Sequence, residues 1–143
     1  MDFQEFMLGN ALPVENRKVT VSKRFVKDGK AIPWEIRAIT NDEDETLRKN
    51  FMRRVPAPGK AGKRGQYVQD FDGPGYMSAL CAACVVYPNL NDAALQDSYK
   101  VKDAEALLRA MLTPGELGDL AAEVQEHCGF DVSMADKVEE AKN

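Results

Sequence analysis

The sequence predicts an α+β fold in which helices dominate: an N-terminal β-hairpin followed by an array of about five short helices. Three observations carry this. Residues 17–39 alternate apolar with polar on both sides of Asp28-Gly29, a strong short-range hairpin signal. From Asp72 onward the apolar residues recur at helical rather than strand spacing. Two helix starts carry a capping-box pattern, Thr40 with Glu43 and Thr113 with Glu116. At 143 residues, with 44% apolar and 29% charged residues, the chain reads as one folded domain spanning 1–143.

Residues 1–12 place Phe3, Phe6 and Met7 at helical spacing behind Asp2, with Gly9 and Pro13 as stops, so a short amphipathic helix is expected there. Such a piece is too short to stand alone. It either docks on its own core, the more frequent outcome, or contacts another chain. In the hairpin Val19, Val21 and Phe25 form one apolar row and Ile32, Trp34, Ile36 and Ala38 the other; Pro33 suggests an edge position or a bulge. A helix is expected from Thr40, with acids at 42–45 in its first turn and bases at 48–54 in its last, the order that complements the helix dipole.

The helical half, 72–130, opens with Asp72 and Pro74, and Tyr76, Met77, Leu80, Cys84 and Val85 build a stripe that stops at Pro88. A short helix capped by Asn91 follows, and another begins near Asp103 and presents Leu107, Leu108, Met111 and Leu112. The last full helix starts at Thr113 with Pro114 in first position and buries Leu117, Leu120, Ala121 and Val124. Gly129 ends it in a left-handed cap, with Phe130 placed to fold back. The terminal piece 131–143, amphipathic from Met134 to Ala141, is expected to fray.

Net charge is −4, unevenly spread. Residues 48–64 carry Arg48, Lys49, Arg53, Arg54, Lys60, Lys63 and Arg64 without one acid, whereas residues 65–143 hold 14 acids against 5 bases. Two prolines and three glycines mark residues 56–66 as a mobile basic loop. One function class that fits is therefore a small nucleic-acid-binding or regulatory protein acting through the basic loop 48–64, although aromatics do not interleave the bases there. With no positive, apolar leader and no long apolar run, the chain is expected to be cytoplasmic and its three cysteines reduced.

Cys81 and Cys84 stand three apart, the spacing of a redox or zinc motif. Cys81, however, sits about two turns inside a predicted helix, away from the N-terminus that would lower its pKa. The remaining zinc ligands would be His127 and Cys128, which are adjacent and point roughly 100° apart on a helix. A zinc or thiol enzyme is thus the third and least favoured class, and small buried thiols the simpler reading. His127 is a last-turn residue that complements the dipole. No nucleotide-binding, nucleophile-elbow or metalloprotease motif occurs, so neither a catalytic residue nor a cofactor is expected.

Residues 85–130 resemble the XkdN-like tail assembly chaperones of phages and defective prophages with contractile tails. The likeness rests on Tyr87-Pro88-x-Leu90, the following "LQDSY" with Val101, the "LL" and "ML" pairs, Pro114-Gly115-Glu116, and the closing Gly129-Phe130. The opening segment, the hairpin with "IRAIT", the acid-started helix and the basic Gly/Lys loop extend it over nearly the whole chain. The resemblance implies a non-enzymatic chaperone in the host cytoplasm, absent from the finished particle. It would bind the tape measure protein, keep it soluble and help recruit tail tube subunits, with self-association as a further partner mode. On chemistry alone Tyr87, Pro88, Leu90, Pro114, Gly115 and Glu116 read as helix punctuation. Methionines suit an adaptable client surface, but Met77 and Met111 read as core. Partner-binding candidates are therefore Phe3, Phe6 and Met7 at one end and Met134 and Val138 at the other, all in marginal terminal helices.

Overall fold

Residues 17–36 leave and re-enter one small sheet. In the computed structural model, which describes residues 2–57 and 65–130, β1 (Arg17–Val19) pairs antiparallel with β4 (Trp34–Ile36), matching Val19 with Trp34. Between them β2 (Val26–Lys27) and β3 (Lys30–Ala31) close the tip, where Asp28 and Gly29 both take positive φ, 54° and 78°. The expected hairpin is present as two short ladders. Its second strand is central, because β7 (Val85–Tyr87) pairs on the other side of β4, giving the order β1-β4-β7. Pro33 therefore marks no edge strand: it sits just before β4, outside the ladder, where its missing N–H costs no pairing. The irregularity lies two residues on, where the β4–β7 register shifts between Glu35 and Ile36.

Helix α1 (Asn41–Asn50) starts as expected: the Thr40 hydroxyl accepts from Glu43 N and the Glu43 carboxylate accepts from Thr40 N, both at 3.2 Å. It ends sooner than expected. Arg53 and Arg54 belong to β5 (Met52–Pro56), which pairs over its whole length with β6 (Tyr67–Phe71). The basic stretch read as a loop over 56–66 thus begins at the end of a second hairpin, closed by Ala57 N donating to Gln66 O at 3.0 Å.

Helix α2 (Gly73–Cys84) lies at the centre, packing against α1, α4 (Ala104–Met111), α5 (Pro114–His127) and β7. The Asp72 carboxylate caps it by accepting from Gly75 N at 3.0 Å, with Pro74 in the first turn. Gly75 leaves room for the cap: a Cβ there would push that carboxylate aside and approach Phe51 Cδ1 to 3.0 Å. The helix buries Tyr76, Ala79, Leu80, Cys81 and Cys84 and stops at Cys84, so Val85 is a strand residue of β7 and not part of the helical stripe. The signals were therefore not helical throughout from Asp72. Two β-branched valines and a tyrosine favour a strand once β4 offers a partner. Asp92, not Asn91, caps α3 (Ala93–Ser98), accepting from Leu95 N at 2.9 Å, while Asn91 N is held by the Asn89 side chain.

The core joins the sheet to the helices: Trp34 and Ile36 from β4 meet Leu80, Leu90, Leu107, Leu108, Leu120 and Val124. Each such side chain contributes on the order of 1.5–3 kcal/mol through removal of apolar surface from water. Met111 is buried in this core and Met77 packs on it, as read from spacing. Helix α5 carries the second capping box, Thr113 with Glu116. It closes at Gly129 (φ 78°), where Gly129 N donates to Glu126 O and Phe130 N to Gln125 O, turning Phe130 onto the core.

Candidate protein-binding surfaces

Of the partner-binding candidates, Phe3, Phe6 and Met7 lie on an arm that none of the other described residues covers. The expected helix is a single 3-10 turn, Gln4–Phe6, because Gly9 and Pro13 leave no length for an α-helix to nucleate. Its backbone bonds are local, Phe6 N to Phe3 O and Ala11 N to Met7 O. The expectation that it docks on its own core is not met: Phe3, Phe6 and Met7 are 58%, 78% and 55% exposed, and Leu8, Leu12 and Val14 are exposed beside them. Met134 and Val138 lie outside the described residues.

A second surface runs from the β5–β6 ribbon into a cleft. Antiparallel pairing puts Met52, Arg54, Pro56, Tyr67, Gln69 and Phe71 on one face, and Met52, Tyr67 and Phe71 are exposed there. Arg54 stacks 4.9 Å over the Tyr67 ring, while Arg53 on the other face pairs with Asp70 at 3.1 Å. Phe71 meets Tyr76 at 5.4 Å between ring centres, and Tyr76 lines a cleft of about 330 Å³ with Arg48, Met77, Leu80, Gln125 and Phe130. Arg48 is fixed there: its Nε donates to Asp44 at 2.9 Å and its guanidinium lies 4.6 Å from the Tyr76 ring centre. Phe71 and Phe130 each stand 5.9 Å from the same guanidinium. Tyr76 donates its hydroxyl to Asp44, and burial, with that carboxylate, pushes the phenol up to about 12. The result is an aromatic, methionine-containing groove edged by arginines.

Two ion pairs hold the elements around these surfaces. Arg37 grips Glu43 with both terminal guanidinium nitrogens, at 2.7 and 3.0 Å, and its Nε donates to Ala83 O at 3.1 Å, tying the end of β4, α1 and α2 together. Arg37, followed by the Thr40 backbone N–H, holds the Glu43 carboxyl down at about 2. Arg24 pairs with Glu116 and donates to Met111 O at 2.7 Å, linking the first hairpin to the turn between α4 and α5. The Arg24 guanidinium holds the Glu116 carboxyl well below the usual carboxylate range. Sequence patterning cannot find such pairs, because their partners are 92 and 6 residues apart with no fixed spacing.

The thiols face inward. Cys81 and Cys84 are fully buried, and burial pushes each up to about 12, so neither is an activated nucleophile at neutral pH. Cys128 Sγ lies 4.0 Å from Cys84 Sγ, and all three cysteines are free. Among the described residues no group of three His, Cys, Asp or Glu converges as metal ligands, and no helix is long and apolar enough to cross a membrane. Of the signature residues, Leu90 is core, Pro114 and Gly115 start α5, and Glu116 both closes the capping box and pairs with Arg24. Tyr87 ends a strand rather than a helix, is exposed, and is joined to Pro88 by a cis peptide bond.

Comparison with known proteins follows the same lines. The model of the family described as phage XkdN-like tail assembly chaperone protein matches residues 3–142. Two proteins of Bacillus subtilis (strain 168), YqbN and the phage-like element PBSX protein XkdN, are each 31% identical over 144 residues, 99% of this chain. The match covers 93% of YqbN and 94% of XkdN. The crystal structure of the protein YqbN superposes with a TM-score of 0.74 at 26% identity, covering 92% of this chain and 98% of that one.

Proposed function

The chain belongs to the family of XkdN-like phage tail assembly chaperones, and from that premise we propose that it binds the tape measure protein of a contractile tail. In this reading it keeps that long helical client soluble in the host cytoplasm, helps tail tube subunits gather on it, and leaves before the particle is finished. It acts by binding and carries out no covalent chemistry.

The observation that supports the reading best is the undocked arm, with Phe3, Phe6, Met7 and Leu8 open to solvent next to a core that is already closed. A helical client exposes long apolar stripes, and flexible methionine and aromatic side chains adapt to such a surface. The arm is thus placed to cover client surface at little expense to the fold.

Co-expression tests it. The chain is produced together with a tape measure protein, and the soluble fraction of that protein is measured with and without the chain. Co-purification and a severalfold gain in soluble client are expected; a client equally soluble alone, with no complex recovered, contradicts the reading.

A further inference from the structure

The cysteines that share a redox-like spacing are not the pair that the fold brings together. Cys81 and Cys84 lie one turn apart on α2, where helical side chains keep their Cβ atoms about 5–6 Å from each other. A disulfide needs its Cβ atoms about 3.8 Å apart, so that pair is poorly placed to close. Cys84 instead meets Cys128, 44 residues away in sequence, with the two Sγ atoms 4.0 Å apart. Cys84 is the last residue of α2 and Cys128 is the C-cap of α5, so the contact joins two helix ends. All three thiols are free, and the proposed client function uses none of them.

We propose that Cys84 and Cys128 are a site of reversible oxidation, closing to an intramolecular disulfide when the chain meets a peroxide. The structure gives the two sulfurs different tasks. Cys128 is partly exposed and is reached by oxidant first; Cys84 is fully buried, and burial keeps its thiol protonated, so it reacts only with a sulfur already in contact. In the first step the Cys128 thiol gives up its proton and its sulfur attacks one oxygen of hydrogen peroxide. The O–O bond breaks, the departing hydroxide takes up that proton as water, and Cys128 becomes a sulfenic acid. In the second step Cys84 Sγ attacks Cys128 Sγ: the S–S bond forms, the S–O bond breaks, and the hydroxyl leaves with the Cys84 proton as a second water. Two thiols lose two electrons and one peroxide gains them. An added dithiol reverses the bond by exchange, ending as its own cyclic disulfide.

The sulfurs must close from 4.0 Å to a bond of about 2.05 Å. That movement falls on Cys128, which lies outside the regular part of α5 and directly before Gly129 at φ 78°. Phe130, two residues on, lines the Arg48 cleft, so the bond would fasten one wall of that cleft to the junction of α2 with β7. The reaction needs no client and stands or falls separately from the proposed function.

The test is made on the reduced full chain, treated with hydrogen peroxide and then digested without reductant. Titratable thiols in the denatured chain are expected to fall from three to one, with Cys84 and Cys128 recovered in one linked peptide pair. The melting temperature of the oxidised chain should stand about 5 °C or more above that of the same sample after a dithiol is added. Cys81→Ala should still lose two thiols, and Cys128→Ser should keep both of its own. Three thiols surviving the oxidant overturn the proposal. So do a Cys81–Cys84 link, a bond between two chains, or Cys128 carried on to sulfinic acid while Cys84 stays free.

Discussion

Leu80 and Leu8 are the same side chain in opposite settings: the first is fully buried at the centre of α2, the second is 94% exposed on the arm. Around Leu80 every local device agrees with the fold. Asp72 caps the helix, Gly75 leaves room for the cap, and Leu107, Leu108, Leu120 and Val124 belong to the same buried cluster. Around Leu8 large apolar residues are also frequent, with Phe6, Met7 and Leu12 nearby, but Gly9 and Pro13 cut the helix short and no described element covers it. Apolar content alone does not separate the region that makes the fold from the region left exposed; helix length and capping do.

Substitutions can widen or close that contrast. The largest effect is expected at the core: Leu80→Ala leaves a cavity and should remove about 3 kcal/mol of stability, lowering the melting temperature by roughly 10 °C. Next comes Gly75→Ala, where the new methyl displaces the capping carboxylate of Asp72; loss of a cap is worth about 1 kcal/mol, readable in urea unfolding. Smaller again is the Arg37–Glu43 tie. Glu43 has a folded pKa of about 2 against an ordinary 4.5, so its contribution is complete above pH 4.5 and fades as pH falls toward 2. Its carboxylate is 42% exposed, so screening reduces the effect to about 1 kcal/mol or less. Melting curves of wild type and Glu43→Gln should accordingly differ at neutral pH and converge near pH 2. At the bottom of the series, Leu8→Ser should leave stability within about 0.5 kcal/mol of wild type.

How much of this was legible in the sequence follows from the range of each interaction. Capping boxes at Thr40 and Thr113, the Asp28-Gly29 turn and the Gly129 cap span three to six residues, and all are where local pattern put them. The family, too, could be recognised from Tyr87-Pro88-x-Leu90 and Pro114-Gly115-Glu116 together with the order of elements. The β5–β6 ribbon was missed although a signal existed. "MRRVP" and "YVQDF" are β-prone runs on either side of a Gly/Pro-rich stretch, but the bases of the first run also suit the end of a helix. β7 was missed for another reason: three residues become a strand only because β4, some fifty residues earlier in the chain, offers an edge. The Arg48 groove draws its walls from α1, β6, α2 and the turn after α5, a convergence that no spacing encodes.

The core is expected to fold without the arm, and the arm, in the proposed function, to serve the client. The measurement that tests this most directly is made on a chain lacking residues 1–12, taking its melting temperature and its capture of the tape measure client from the same preparation. The division predicts a melting temperature within about 1 °C of the full chain, as for surface changes generally, together with a weakened client complex. A large fall in melting temperature, or a client complex as strong as before, would contradict it.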